Sequence, residues 1–188
     1  MSDEFLGDRK KALEESFFAK ENARLVERMR AEKQKKASKE ALCEASGIRD
    51  DALLERLVEL DIGPDTWTAI SLIPLVEVAW ADRVLDKRER KAILEAAAGL
   101  NVRPGKPSYE LLESWLSEKP DGRLLEVWGE YIVGVAGHLD PDARHILRDE
   151  ILGNARRVAR AAGGVLGWKQ ISADEQAMLD HLEHAFDV

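Results

Sequence analysis

The sequence contains one cysteine, Cys43, and no apolar run long enough to cross a membrane. A single cysteine excludes an internal disulfide, and a membrane helix needs about 20 consecutive apolar residues. The first residues, MSDEFLGDRKK, also lack the charged and then apolar pattern of a secretory leader. We therefore expect a cytoplasmic protein with no transmembrane segment. Peripheral contact with a membrane surface stays open.

Alternating apolar and polar residues, which indicate half-buried strands, are also lacking. Instead, hydrophobic residues (45%) recur at helical spacing among charged residues (34%), as in a soluble globular protein. These patterns predict an all-α fold, a helical bundle of about seven or eight helices.

Positive charge is scarce outside the N-terminal segment. Residues 1–45 contain 11 basic and 10 acidic residues, whereas the remainder contains 17 basic and 26 acidic residues. An acidic body repels a phosphate backbone, so we expect no binding of nucleic acid.

Residues 8–45 contain neither glycine nor proline and predict one long helix. At 1.5 Å per residue this helix would measure about 57 Å, more than the width of a compact body built from the remaining chain. We therefore divide the chain into a long N-terminal helix, 1–47, part of which projects or binds a partner, and a helical bundle, 48–188. The alternatives are a helix that folds back along the body and one that is partly frayed.

An apolar stripe along the long helix is the candidate contact surface for a partner. It consists of Leu13, Phe17, Phe18, Leu25 and Met29. We expect this stripe to enter a groove of a partner protein or of a second copy. The basic run at Lys33, Lys35, Lys36 and Lys39 is interleaved with acidic residues and is interpreted as a solvated face.

The most apolar stretch of the chain, residues 68–81, contains only one charged residue, Glu77. Apolar side chains point in all directions around a helical wheel, which predicts a helix enclosed by other helices. We expect this helix to begin at Pro64 and to be kinked at Pro74, which has no amide donor. A short connection, residues 82–86, leads to a second helix and completes a hairpin.

Capping signals predict where other helices begin and end. The expected caps are Gly47, Asp50 or Asp51, Ser108, Asp140 and Ser172. Gly163 and Gly164 are expected to end the helix that begins at Pro141, and the last helix is predicted over residues 172–186.

The hairpin carries a sequence pattern that spans its turn: Val78, Ala79, Ala81, Asp82, Val84, Asp86, Glu89 and Ile93. This pattern resembles the signature of the tellurite-resistance TerB family, in which a helix is followed by A-D-G-x-(I/V), three residues and a glutamate that opens the next helix. Arg83 stands where that family has glycine. A degenerate second copy is identified on Val158, Ala159, Ala161, Ile171, Ser172, Glu175, Met178 and Leu179. The resemblance implies a TerB-like bundle with an internal repeat and an acidic surface of proposed metal affinity.

The start of the chain has a second similarity, carried by Asp8, Arg9, Lys11, Ala12, Glu14, Phe17 and Glu21. These residues are similar to the N-terminal segment of the zeta subunit that inhibits rotary ATP synthases in some bacteria. In that family such a helix enters the catalytic head. The similarity implies an alternative function, ATPase inhibition through the N-terminal helix.

Four acidic residues surround the turn of the hairpin: Glu77, Asp82, Asp86 and Glu89. Their carboxylates could supply oxygen ligands to a divalent cation such as Ca²⁺, which gives a metal-responsive module as a further alternative. The competing interpretation is structural, because Asp86 and Glu89 have the spacing of a capping box. Ser172 and Glu175 have the same spacing.

Glu77 requires a partner if its helix is enclosed, because a buried and unpaired carboxylate is costly. We expect an arginine from a neighbouring helix, one of Arg144, Arg148 and Arg156.

The remaining reactive residues form no recognisable catalytic set. His181 and His184 share a face of the last helix, and His138 and His145 are seven residues apart, but zinc needs three or four ligands. Cys43 has no clear basic partner, and no Ser, His and Asp arrangement is evident. We therefore expect no enzymatic activity and no obligatory cofactor.

Together these features favour a non-enzymatic interaction or scaffold protein that binds a protein partner, or forms a homodimer, through its N-terminal helix. Trp168 lies in a glycine-flanked loop and is expected at a contact surface. The metal-responsive module and the ATPase regulator are the two alternatives.

Overall fold

The structure is a computed structural model that describes residues 2–161 and 171–187, with the helical backbone only for residues 2–19, 22 and 23. These residues form eight α-helices and one 3-10 helix, and no strand occurs among them. The α-helices are α1 (Ser2–Ser46), α2 (Asp51–Glu59), α3 (Ile73–Ala79), α4 (Lys87–Gly99), α5 (Pro107–Ser117), α6 (Arg123–Ala136), α7 (Pro141–Ala161) and α8 (Ala173–His184). The all-α prediction is confirmed.

Helix α3 lies at the centre of the bundle, and all seven of its residues are buried. It packs against α6, α7 and α8, while the 3-10 helix (Trp67–Leu72) that precedes it is covered by α5. Helix α4 packs on α7, and α8 packs on α3. The second helix of each hairpin, α3–α4 and α7–α8, therefore packs on the first helix of the other.

Most helix ends follow the local capping signals. Asp50 accepts hydrogen bonds from two amides of the first turn of α2, at 2.9 and 3.0 Å, and Asp140 accepts one from an amide of α7 at 2.9 Å. Gly47 ends α1 with a φ of 76°, which glycine adopts without strain. These predictions are confirmed. The predicted end of α7 at Gly163 and Gly164 lies outside the described residues.

Two predicted helix starts are wrong. The chain does not form one helix from Pro64 with a kink at Pro74: residues 64–66 form a turn, the 3-10 helix follows, and Pro74 lies in the first turn of α3. Since amides of a first helical turn have no partner within the helix, proline fits there without a kink. For the same reason α5 begins at Pro107, and Ser108 is buried in its first turn instead of capping it.

Helix α1 is attached to the bundle through its C-terminal turns. Every described side chain from residue 20 to residue 34, a segment that we call the arm, is exposed to solvent. In contrast, Leu42 is fully buried and belongs to the main hydrophobic core. Helix α1 packs on α2, and its 45 residues extend over about 67 Å. The described arm therefore projects from the body.

Ion pairs add to this attachment. Lys35 Nζ lies 2.9 Å from Glu55 Oε1 and 2.8 Å from Glu59 Oε1 of α2. Lys39 Nζ lies 2.8 Å from the carboxylate of Asp51. The sequence analysis interprets the basic run as a solvated face. This interpretation is wrong in part, because Lys35 and Lys39 bind acidic residues of α2. Exposed ion pairs contribute at most about 1 kcal/mol each, so burial of apolar surface dominates the attachment.

None of the described helices combines the length and the apolar character that would let it span a membrane.

Replacement of Leu42 by alanine should lower the free energy of unfolding by about 2–5 kcal/mol, as is usual for a buried leucine. The matched control is Leu25→Ala in the exposed arm of the same helix, which should change the free energy by less than about 0.5 kcal/mol. Urea denaturation followed by circular dichroism measures both values. Equal losses for the two variants would show that the arm packs on the body.

Candidate functional site

The four acidic residues around the hairpin turn lie in different environments. Glu77 is buried within α3 and Glu89 within the first turn of α4, whereas Asp82 and Asp86 are exposed. Asp82 accepts a hydrogen bond from an amide of the turn at 3.0 Å, and Asp86 caps α4 by accepting one at 2.7 Å. Within residues 2–161 and 171–187, no three His, Cys, Asp or Glu side chains converge in a way that could hold a metal ion. The cation hypothesis stays a prediction.

The backbone of the turn has a left-handed residue. Arg83 has a φ of 71°, and its amide donates a hydrogen bond to the carbonyl oxygen of Trp80 at 3.0 Å. A side chain in this region of φ costs roughly 1–2 kcal/mol, which glycine avoids. This is the position at which the TerB signature has glycine.

Two buried carboxyl groups meet where α4 and α8 begin. Glu89 and Glu175 are only 3% and 6% exposed, and each closes the capping box of its own helix. The amide of Asp86 donates to Glu89 Oε2 at 2.8 Å, and the amide of Ser172 donates to Glu175 Oε2 at 2.6 Å. The side chains of the two glutamates also hydrogen-bond each other. Both predicted capping boxes are confirmed, and the contact between them joins the two hairpins.

This contact requires a proton, because two ionised carboxylates repel each other strongly at such a distance. The pKa of Glu89 is raised to about 8, chiefly by burial and further by the contact with Glu175 and the charge of Asp82, while the hydrogen bond from the Asp86 amide opposes the rise. The pair of carboxyl groups therefore holds a proton at neutral pH.

Sequence reasoning missed this pair, since 86 residues separate its members. The only signal was that Ser172 and Glu175 have the same capping-box spacing as Asp86 and Glu89.

Glu77 does not have the arginine partner that the sequence predicts. Its Oε1 is buried and makes no hydrogen bond within the described residues. Arg148 and Arg156 instead lie 3.8 and 3.5 Å from the carboxylate of Glu183, and Arg144 donates to a carbonyl of α6. The prediction is wrong although α7, which carries these arginines, packs against α3, because Arg148 and Arg156 pair with Glu183 of α8 instead.

The charge state of Glu77 is controlled by its burial. Burial raises the pKa of Glu77 to about 7, and the nearby positive charge of Lys119 opposes the rise only in part. Relative to an ordinary value of 4.5, ionisation in the fold costs about 3 kcal/mol more than in water. Burial therefore favours the neutral form of Glu77 more strongly than water does.

The predicted partner-binding residues are described in part. Leu25 and Met29 are 46% and 60% exposed on the arm, and Val26, which the sequence analysis did not include, is 47% exposed beside them. The side chains of Leu13, Phe17 and Phe18, and all of Trp168, lie outside the described residues.

The other reactive residues lie apart from these sites. All four histidines are exposed; His145 lies 3.3 Å from Asp149 and His184 lies 3.0 Å from Asp187. Cys43 is half-buried and packs against the core.

No family model, curated protein or solved structure matches this chain. The likeness to TerB therefore depends on the hairpin pattern and its second copy alone.

Arg83→Gly should leave the free energy of unfolding unchanged or raise it by up to about 1 kcal/mol, because it removes the side chain from a left-handed position. Lys91→Gly, at an exposed interior position of α4, is the control and should lower it by about 1 kcal/mol. Thermal or urea denaturation measures both. Similar losses in the two variants would contradict a left-handed backbone at residue 83.

Glu89→Gln should weaken the dependence of stability on pH. Glu89 has an ordinary pKa of 4.5 when unfolded and about 8 when folded, so the folded state holds a proton that the unfolded state has released. Its contribution to stability is complete below about pH 4.5 and is lost as the pH rises through about 8. Glutamine keeps the hydrogen bonds of the protonated carboxyl but cannot ionise, so the variant should be more stable than the wild type at pH 8.5.

Glu95→Gln is the control, because Glu95 is an exposed residue of the same helix. It should retain the wild-type dependence on pH. Urea denaturation between pH 5 and pH 9 gives the comparison, and the same slope in Glu89→Gln as in the wild type would contradict a shared proton.

Proposed function

We propose that this chain is a non-enzymatic all-α interaction protein whose N-terminal helix binds a protein partner or a second copy of itself. The observation that supports this proposal most is the exposure of Leu25, Val26 and Met29 on the arm. The spacing of three and four residues places them on neighbouring turns of one helix. A helix that docks into a hydrophobic groove presents its apolar anchors at this spacing.

The body acts as a scaffold in this proposal. Leu42 and the ion pairs of Lys35 and Lys39 fix the C-terminal end of α1 on α2. Because α1 is one continuous helix, this attachment also fixes the direction in which the arm leaves the body. A contact surface held in one direction loses less conformational entropy on binding than a flexible tail does.

The perturbed carboxyl groups do not require a catalytic explanation. Strongly shifted pKa values often mark active sites, although structural contacts also cause them. Glu89 closes a capping box and binds Glu175, and Glu77 is 4% exposed within the central helix, where a substrate has little access to it. We therefore assign no reaction to either residue. The resemblance to TerB supports the use of such a bundle as an interaction module.

A photo-crosslinking amino acid at position 29 of the full chain tests the proposal. We expect it to give discrete crosslinked products, with a partner protein or with a second copy, because the apolar side chain at this position becomes buried on binding. The matched control is the same amino acid at position 146, since Ile146 is also an exposed apolar residue, at 67%, but lies on α7. Products are detected on denaturing gels after irradiation of expressing cells and of the purified protein.

Equal crosslinking at positions 29 and 146 would contradict the proposal. Deletion of residues 1–33 provides a second test, because it removes most of the arm but retains Lys35, Lys39 and Leu42. The shortened chain should stay folded by circular dichroism. If the bundle unfolds, the arm is part of the core and not a free contact surface.

A further inference from the structure

The arm carries positive charge around its exposed apolar residues. The described side chains of the arm include five basic residues and three acidic ones, so its net charge is positive: Lys20, Arg24, Arg28, Arg30 and Lys33 against Glu21, Glu27 and Glu32. The body, in contrast, is acidic, with 26 acidic and 17 basic residues after residue 45. The surface that complements the arm should therefore combine apolar side chains with unpaired carboxylates.

Among the described residues of the body, a groove of about 320 Å³ lies between the end of α2, helix α5 and the connection from α5 to α6. We call it the α2–α5 groove. Four of its lining residues are apolar: Leu60, Leu111, Trp115 and Leu124. A concave surface of this size with apolar residues in its lining can take a few side chains of a docked helix.

Carboxylates surround the α2–α5 groove. Asp61 and Glu118 form no ion pair among the described residues. Arg123 pairs with Asp121 at 2.7 Å, and Lys119 Nζ lies 3.5 Å from the carbonyl oxygen of Trp80, which caps α3. Four carboxylates and two cations line the groove, so its net charge is negative, opposite in sign to that of the arm.

An ion pair between a cation of α1 and a carboxylate of the body already occurs beside the groove. Glu59, which lines the groove, binds Lys35 of α1. The groove thus lies next to the point at which the arm leaves the body. Met29 lies six residues further along the same helix, about 9 Å away, and Leu25 about 15 Å away. An unbroken helix cannot turn back, so the arm cannot fill the groove of its own chain.

We infer that the arm of one copy docks in the α2–α5 groove of a second copy, so that two chains exchange arms in a symmetric dimer. Leu25, Val26 and Met29 contact the apolar floor, and the arm cations face Asp61 and Glu118. A twofold axis makes each contact occur twice, which closes the assembly at two chains. This inference rests on the proposed function and names the partner as a second copy.

Paired charge reversals in the full chain test the exchange of arms. The arm variant is Arg28→Glu with Lys33→Glu, and the groove variant is Asp61→Lys with Glu118→Lys. Each variant alone places like charges in both contacts, so its dimer should dissociate at concentrations at least about tenfold higher than those of the wild type. In an equal mixture both contacts again join opposite charges, so a heterodimer should form with an affinity near that of the wild type.

Sedimentation velocity over about 1–300 µM protein measures these affinities, a range that covers weak and moderate dimers. Circular dichroism verifies that each variant is folded. The control for apolar contact is Met29→Glu against Ile146→Glu: the first should weaken the dimer and the second should leave it unchanged. Glu150→Lys, on the exposed surface of α7, is the control for charge.

Two results would overturn the inference: a wild-type chain that stays monomeric up to the highest concentration, or a dimer that the groove variant does not weaken. Neither result removes the proposed function, because crosslinking at position 29 to another protein would still support an arm that binds a partner. If crosslinking at position 29 were also absent, both the exchange of arms and the proposed function would be contradicted.

Discussion

Burial of Leu42 in the hydrophobic core fixes the C-terminal end of α1, the longest helix, where it packs on α2. In the part of α1 whose side chains the structure describes, it is the one buried residue. Two lysines beside it bind carboxylates of α2, and their contribution is small because they lie near solvent. The preceding turns of α1 have no such support, so their apolar residues are available for another surface. The functional proposal depends on this contrast between one end of α1 and the rest of it.

The body that holds α1 is organised around a second constraint, the contact of two buried glutamates. Each glutamate satisfies the amide of its own helix cap, and the helix N-terminus favours negative charge at that place. Their proximity opposes a double negative charge, and a shared proton reconciles the two requirements. Since α4 and α8 belong to different hairpins, this proton joins the two halves of the bundle.

The fold was largely predictable because its signals are local. The caps at Asp50, Asp140 and Ser172 depend on residues within four positions, and the enclosed helix α3 depends on its own apolar content. The kink expected at Pro74 is absent for a physical reason, because proline kinks a helix only where α-helix precedes it. A 3-10 helix precedes Pro74, which lies in the first turn of α3.

The candidate sites were less predictable because they join distant segments. The partner of Glu77 and the contact of Glu89 with Glu175 depend on which helix faces meet, and periodicity does not determine this. The exposure of Leu25 and Met29 has the same origin. An apolar stripe that packs in the core of its own chain has the same sequence pattern as one that docks in the groove of another chain.

Hydrogen exchange of residues 24–33, measured at low and at high protein concentration, tests most directly whether the arm is free in one chain and covered by a second. We predict rapid exchange of the arm amides in dilute protein and slower exchange in concentrated protein, with amides of α3 equally protected in both. Arm amides that are as protected as those of α3 at the lowest concentration would contradict this account, because they would show that the arm packs on its own body.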